Sequence, residues 1–401
     1  MAELKKIACD HIDQLTTVLG SLSQDIWDHP ELGYKEYHAH DVISNFLEER
    51  GFEVTRKYIL DTSFCARFGH NIPDNENLPH LAVLCEYDAL PGIGHACGHN
   101  LIAEVGVATG LAIKQALESA GKPLGKLTVL GTPAEEGLCG KADLIKSGAF
   151  EGVDAAMMAH PSQFTLSKPN YVSMTPVTIT YKGKAAHASS YPWEGLNALD
   201  AAVLCYNNIS CLRQQMKPTW RVHGVISKGG LQPNIIPEET ELQYYLRTPT
   251  EPELKVLMSK VNNCIQAAAL ATGCDTEYKY SEKHYFSLLS NATMAATFEE
   301  NAKSVGVEFE QKQELIRKFG GSTDMGNVSH IVPSIHPKFF IGTTASNHSK
   351  AFTKASGDPM AQPYTLAIAK GLAMTALDIF TKPGLLSDIR ADYQKDVSEH
   401  A

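Results

Sequence analysis

Three short apolar runs, 81–85, 127–131 and 155–158, read as β-strands, and a long apolar stretch with helical spacing, 101–117, lies between the first two. Strands that alternate with helices predict a largely parallel sheet with helices on both faces, because a parallel neighbour is reached only by a crossover. In such sheets ligands gather at the carboxyl ends of the strands. Upstream, Ile12, Leu15, Val18, Leu19 and Leu22 recur at helical spacing, as do Val42, Ile43, Phe46 and Leu47, and Gly51 is placed to cap the second helix.

The texture changes near residue 170. Residues 172–181 alternate like a half-exposed strand, 196–212 and 254–270 read as helices, and 220–227, 240–246 and 275–280 as further strands. The order is βαββαβ, the pattern of one antiparallel sheet backed by two helices. From about 285 the alternation of the larger domain resumes. The sequence therefore predicts one α/β domain made of 1–170 and 285–401, with a smaller α+β domain, 171–284, inserted in it. A chain of 401 residues is long enough for both cores.

The strand ends carry the chemistry. After the first run, 86–100 reads EYDALPGIGHACGHN, with Asp88, Pro91, Gly92 and Gly94 forcing a turn before His95, Cys97 and His99. Thiolate and imidazole are preferred zinc ligands, and a helix start favours a thiolate. Alone, a Cys-x-His triplet is common and reads as buried structure. After the second run comes TPAEEG, with Glu135 and Glu136 adjacent. On extended backbone their side chains point apart, so one can bind metal while the other faces a substrate water. Read alone, the pair is a solvated loop. After the third run comes MAHP, with His160 just past the strand. Three βα connections ending in ligand-type residues are a far rarer coincidence than any one of them. His348 follows in NHSKAF, after the apolar run 339–341.

The motifs YDALPGIGHACGH, TPAEEG, MAHP, GKAAHAS, QPNIIPEE, GGSTDMG and NHSKAF, in this order, resemble the zinc metallopeptidase family of aminoacylases, dipeptidases and glutamate carboxypeptidases, in its amidohydrolase–dipeptidase branch. The resemblance covers essentially the whole chain. It implies a phosphorylase/hydrolase-like catalytic domain with a ferredoxin-like lid and dimerisation insert. By position it implies that Cys97, His99, Glu136, His160 and His348 hold two zinc ions per subunit, with manganese or cobalt as substitutes. Cys97 would bridge the ions, Glu135 would be the general base and acid, and Asp88 would orient a ligand histidine. Glu86 stands where sister subfamilies often carry a further histidine ligand, and is left unassigned. His187 would face the substrate, while Asn234 and Arg247 would hold its carbonyl or carboxylate. His187 also reads as a plain strand-end residue, and Arg247 as the partner of a nearby glutamate. Gly320, Gly321, Ser322 and Asp324 resemble a loop near the site. The implied substrates are dipeptides, within one branch those with a basic C-terminal residue, or N-acyl amino acids such as p-aminobenzoyl-glutamate. A homodimer is implied as well. Where many plant and bacterial amidohydrolases continue CGH with Asp and a later His, Asn100 and Ile102 stand here, which favours the dipeptidase branch.

Composition narrows the setting. With 43% hydrophobic and 20% charged residues this is an ordinary globular chain, and a net charge of −10 argues against a nucleic-acid partner. No apolar run approaches the roughly 20 residues a membrane helix needs. Nine scattered cysteines suit a reducing, cytoplasmic setting better than a disulfide framework. A thiol enzyme with Cys97 as nucleophile and His99 or His95 as base is the competing chemistry, but residues two apart seldom meet that geometry, and it leaves Glu135, Glu136, His160 and His348 without a role. A non-catalytic homologue would usually have lost a ligand or the base.

Overall fold

Helix α1 (Ala2–Asp28) buries Ile12, Leu19, Leu22 and Ile26 along one stripe, as the spacing predicts. Helix α2 (Tyr37–Glu48) follows, and Gly51 ends it: Phe52 N–H donates to Leu47 O at 3.1 Å and Gly51 N–H to Glu48 O at 3.0 Å, with Gly51 at φ 80°. These are the paired bonds of a Schellman motif. The computed structural model describes residues 2–71, 78–316 and 320–400. The chain divides into two compact units, one made of Met1–Asn170 and Leu288–Glu399, the other built on Tyr171–Ser287.

The first unit continues with β1 (Glu53–Arg56), β2 (Phe64–Phe68), β3 (His80–Cys85), α3 (His99–Ser119), β4 (Lys126–Gly131), α4 (Gly140–Lys146), β5 (Ala155–Met157) and β6 (His160–Ser162). The second contains β7 (Ser173–Lys182), α5 (Ala198–Leu212), β8 (Arg221–Lys228), β9 (Glu239–Thr248), α6 (Glu251–Thr272) and β10 (Asp275–Tyr280). The chain then returns through α7 (Ala292–Ser304), α8 (Gln313–Ile316), α9 (Met325–Ser329), β11 (Ser334–Ile335), β12 (Lys338–Phe340), α10 (Lys350–Ser356), α11 (Gln362–Thr381) and α12 (Leu385–His400).

The main sheet has the order β1-β2-β4-β3-β5-β11. The pairs β3–β4, β3–β5 and β5–β11 are parallel, while β1–β2 and β2–β4 are antiparallel. It is thus largely parallel, with an antiparallel edge that the sequence reading did not contain. The central strands read as unbroken apolar runs because both faces are covered. Leu81 and Val83 of β3 pack into a core with α1, α3 and α11, whereas Ala82 and Leu84 pack into a second core with Leu144 of α4 and Met325 and Val328 of α9. One expectation needs correction: β5 does not lead into a helix. The chain breaks after Met157 and starts again as β6 at His160, which pairs in parallel with β12 in a separate two-stranded ribbon.

In the second unit the order is β10-β7-β9-β8, antiparallel throughout. Val177, Ile179 and Tyr181 of β7 and Leu242, Tyr244 and Leu246 of β9 face α5 and α6, while alternate residues face away. Among the described residues, no helix is long and apolar enough to cross a membrane.

Candidate metal centre

The segments that follow β3, β4, β5 and β12 converge at the carboxyl edge of the first unit's sheet. Cys97 and His99 straddle Gly98, the residue before α3. Gly98 has φ 79°, and a Cβ there would lie 2.6 Å from Pro161 Cγ, so only glycine lets the CGH turn pass beside the His160–Pro161 strand. Cys97 Sγ then lies 3.3 Å from His160 Nε2. His160 Nδ1–H donates to Pro161 O at 2.8 Å, which leaves Nε2 as the ring nitrogen that could bind a metal. His99 Nδ1–H likewise donates to Asp88 Oδ1 at 2.9 Å. Asp88 Oδ2 accepts the Glu136 N–H, also at 2.9 Å, so one carboxylate fixes a histidine and the neighbouring carboxylate's backbone. Glu136 Oε1 lies 3.2 Å from His348 Nε2, and His348 itself adopts φ 63°.

Two three-donor sets result. Ligand atoms of Cys97, His99 and His160 all lie within 4.8 Å of one another, and so do those of Cys97, Glu136 and His348. The sets share the Cys97 thiol. The donors fit a pair of divalent ions on their chemistry: thiolate, imidazole and carboxylate suit zinc and its neighbours. A second observation agrees, since His99 Nε2 is buried without a hydrogen-bond partner. An orphaned buried nitrogen is costly unless something else pairs with it.

Glu86, Asp88, Glu135 and Asp324 are all buried near the cluster, and the buried Lys141 ammonium pairs with Glu86 and Asp324. Burial, then the charges of Glu86, Glu136 and Asp324, push the Glu135 carboxyl well above its usual range. Burial and the Glu136 charge likewise push up the Cys97 thiol. Burial and the neighbouring His99 hold His160 well below the usual imidazole range, the neutral form a ligand requires. Burial would raise Asp88, but the charge and hydrogen bond of His99 and the Glu136 N–H hold it low.

Three site features were not foreseen. Lys141 is fully buried, and its ammonium donates to Glu86 Oε1 at 2.5 Å and Asp324 Oδ1 at 2.6 Å. A lysine at a helix start reads as a surface residue, so the sequence carried no sign of this pair. Asp324, read only as part of a nearby loop, is one of its partners. The buried imidazole of His336 stands edge-on to His160, with centroids 5.6 Å apart. His95 turns away instead: its Nε2 hydrogen-bonds the Ile26 carbonyl of α1 at 3.1 Å.

His187, Asn234 and Arg247 belong to the second unit. There the exposed His187 and Asn234 segments run side by side, with Ala188 N–H donating to Asn234 O at 3.0 Å. His187 Nδ1 accepts the Ser190 N–H at 3.2 Å. The Arg247 Nε–H donates to His223 Nε2 at 3.3 Å.

Residues 78–370 match peptidase family M20/M25/M40. Over 404 residues the chain is 50% identical to the Xaa-Arg dipeptidase of Mus musculus, covering 99% of this chain and 93% of that protein. The human Xaa-Arg dipeptidase is also 50% identical, with the same coverage. A component of the Escherichia coli p-aminobenzoyl-glutamate hydrolase is 27% identical, over 98% of this chain and 96% of that one. Among solved structures, a Bacillus subtilis dinuclear metal binding peptidase of the M20 family superposes with a TM-score of 0.67 at 22% identity, covering 90% of this chain and 99% of that one. With motifs, fold and near full-length identity in agreement, the chain belongs to peptidase family M20/M25/M40.

Proposed function

We propose that this protein is a zinc-dependent dipeptidase that cleaves dipeptides with a basic C-terminal residue. The observation that carries the chemistry is the pair of three-donor sets sharing Cys97, with Glu135 beside them. The substrate class is supported by the two Xaa-Arg dipeptidases at 50% identity. Cys97, His99, Glu136, His160 and His348 would hold two ions. Bound there, the ions supply Lewis acidity, lowering the pKa of a water towards about 7 and polarising the scissile carbonyl.

The chain's own residues supply the rest. One oxygen each of Glu135 and Glu136 lies within 4.8 Å of a His99 nitrogen, so the two carboxylates share one approach to the cluster. Glu136 commits its charge to metal, which leaves Glu135 to take the water's proton and pass it to the leaving amine. Asp88 keeps His99 in the tautomer that offers Nε2. His187, Asn234 and Arg247 are assigned to substrate contact on the family resemblance. We place the protein in the cytoplasm, where its nine free thiols are stable. We also propose a homodimer through the second unit. The outer edge of β8 is the end of its sheet, and Val225 and Ile226 on it are 58% and 38% exposed. An exposed apolar edge strand invites pairing with a second copy.

The test is hydrolysis by zinc-loaded protein, with and without chelator, of β-alanyl-lysine, other Xaa-Lys and Xaa-Arg dipeptides, carnosine, acetyl-amino acids and p-aminobenzoyl-glutamate. Chelator-sensitive cleavage of the basic dipeptides alone is expected. Cleavage of acetyl-amino acids or the glutamate conjugate instead would keep the mechanism and overturn the substrate. Activity that survives metal removal would overturn both. Glu135→Gln is expected to keep two ions per chain and lose about 10²–10⁴-fold in kcat.

A further inference from the structure

We propose that Glu36 is a positioning residue for this reaction, holding the strained backbone that carries Glu135; the inference rests on Glu135 being the general base. Glu36 is fully buried at the start of α2. Its Oε1 accepts the Ala134 N–H at 2.8 Å, and its Oε2 accepts the Thr62 hydroxyl at 2.8 Å. Thr62 is held in turn, since its carbonyl accepts the Tyr87 hydroxyl at 2.6 Å. Both carboxylate oxygens are therefore committed, and the side chain has one orientation.

The residue it holds is unusual. Ala134 adopts φ 62°, a left-handed conformation that disfavours any residue with a Cβ. It immediately precedes Glu135. Three contacts keep it there besides Glu36 itself. The Ala134 carbonyl accepts the Gly140 N–H at 3.0 Å. A Cβ added at Gly33 would lie 3.1 Å from the Ala134 Cα, so the 33–36 segment packs directly on it. On the far side of Glu135, Glu136 N–H donates to Asp88. The N–H groups on both sides of Glu135 are thus each fixed by a buried carboxylate, Glu36 before it and Asp88 after it.

A capping role does not account for Glu36. Its side chain makes no cap bond to α2. That work is done by Glu31, whose two oxygens accept the His38 and Ala39 N–H groups at 3.0 Å each. Among the described residues no ion pair reaches Glu36, so a costly buried carboxylate is held by its own backbone N–H, the Ala134 N–H and the Thr62 hydroxyl alone. Releasing Ala134 to an ordinary φ would rotate the peptide that carries Glu135 and take its carboxylate off the reacting water. Glu136, one residue on, has its own anchor in the bond from its N–H to Asp88, so metal ligation depends less on this grip than the placement of Glu135 does.

The experiment compares Glu36→Ala, Glu36→Asp, Glu36→Gln, Ala134→Gly and the Glu36→Ala/Ala134→Gly double variant in zinc-loaded full-length protein. Turnover of β-alanyl-lysine and alanyl-arginine is measured together with metal per chain, and Glu135→Gln is run alongside. Expected is a fall of at least about tenfold in kcat for Glu36→Ala and Glu36→Asp, with KM and metal content unchanged. Glu36→Gln, which keeps an oxygen for the Ala134 N–H, recovers most of the loss. In the double variant Ala134→Gly restores a substantial part of kcat, because glycine takes the left-handed conformation without penalty. A merely structural glutamate gives no such rescue. Should Glu36→Ala fail to fold, Glu36→Asp carries the test, since it keeps the charge and withdraws it from Ala134. Wild-type kcat in the variants, a loss that tracks metal content, or no rescue by Ala134→Gly overturns the proposal. If Glu135→Gln keeps its turnover, the base assignment falls and this inference falls with it. If Glu135→Gln is inactive and the Glu36 variants are unimpaired, the positioning role alone is wrong.

Discussion

At the scale of single residues, Asp88 shows how much one buried carboxylate can organise. It receives the His99 Nδ1–H on one oxygen and the Glu136 N–H on the other. Asparagine in its place keeps an acceptor for only one of these donors and sets an amide N–H against the other. Asp88→Asn is therefore expected to weaken metal binding about 10–100-fold, the usual cost of losing the partner that orients a ligand histidine. Competition against a chromophoric chelator measures it, and unchanged affinity would refute the clamp.

At the scale of elements, α3 lies so close to β3 that Gly106 is a contact point. A Cβ there would fall 2.4 Å from Cys85 Sγ and 2.9 Å from the Leu84 carbonyl. Alanine would gain about 1 kcal/mol of helix propensity, while overpacking of this kind costs about 1–3 kcal/mol. Because one clashing atom is rigid backbone, Gly106→Ala is expected to lower the denaturation midpoint rather than raise it. The same helix carries a pH-sensitive group. Glu104 is buried with its Oε2 accepting from Gln362 Nε2 at 2.9 Å, and burial pushes its carboxyl from 4.5 up to about 7. The folded state then holds a proton that the unfolded chain releases, so stability contributed below pH 4.5 is lost as pH rises towards 7. The loss is on the order of 3 kcal/mol. Glu104→Gln removes it: the variant's stability relative to wild type is expected to increase between these pH values, measured by denaturant unfolding. A flat difference would contradict this.

For the whole molecule, the exposed edge of β8 bears on assembly. Native edges are usually blunted by charge, and lysine is the common device. In the proposed homodimer, Val225→Lys is expected to shift the protein from dimer to monomer in sedimentation velocity while leaving metal content unchanged. A wild-type protein that is monomeric at micromolar concentration would remove the homodimer from the reading.

The sequence by itself determined most of the elements and singled out the candidate donor residues that the fold brings together. Alternation of apolar runs located β3, β4 and β5, the βαββαβ insert and the long α3, because each period reflects a face that must be buried. The donor residues were legible because thiol, imidazole and carboxylate stand in short motifs just past strands, and a parallel sheet must bring strand ends to one edge. The antiparallel strands β1 and β2 were not legible, since EVTR and FCARF are short and interrupted by charged residues, so neither stands out as an apolar run. Nor was the break between Met157 and His160, because β6 exists only through its pairing with β12. Tertiary structure alone decided the burial of Lys141 between Glu86 and Asp324, and the grip of Glu36 on Ala134. Those partners are 55, 183 and 98 residues apart in the chain. A buried charge is identified by the counter-charge or N–H that faces it, and that partner is chosen by packing, not by any local pattern.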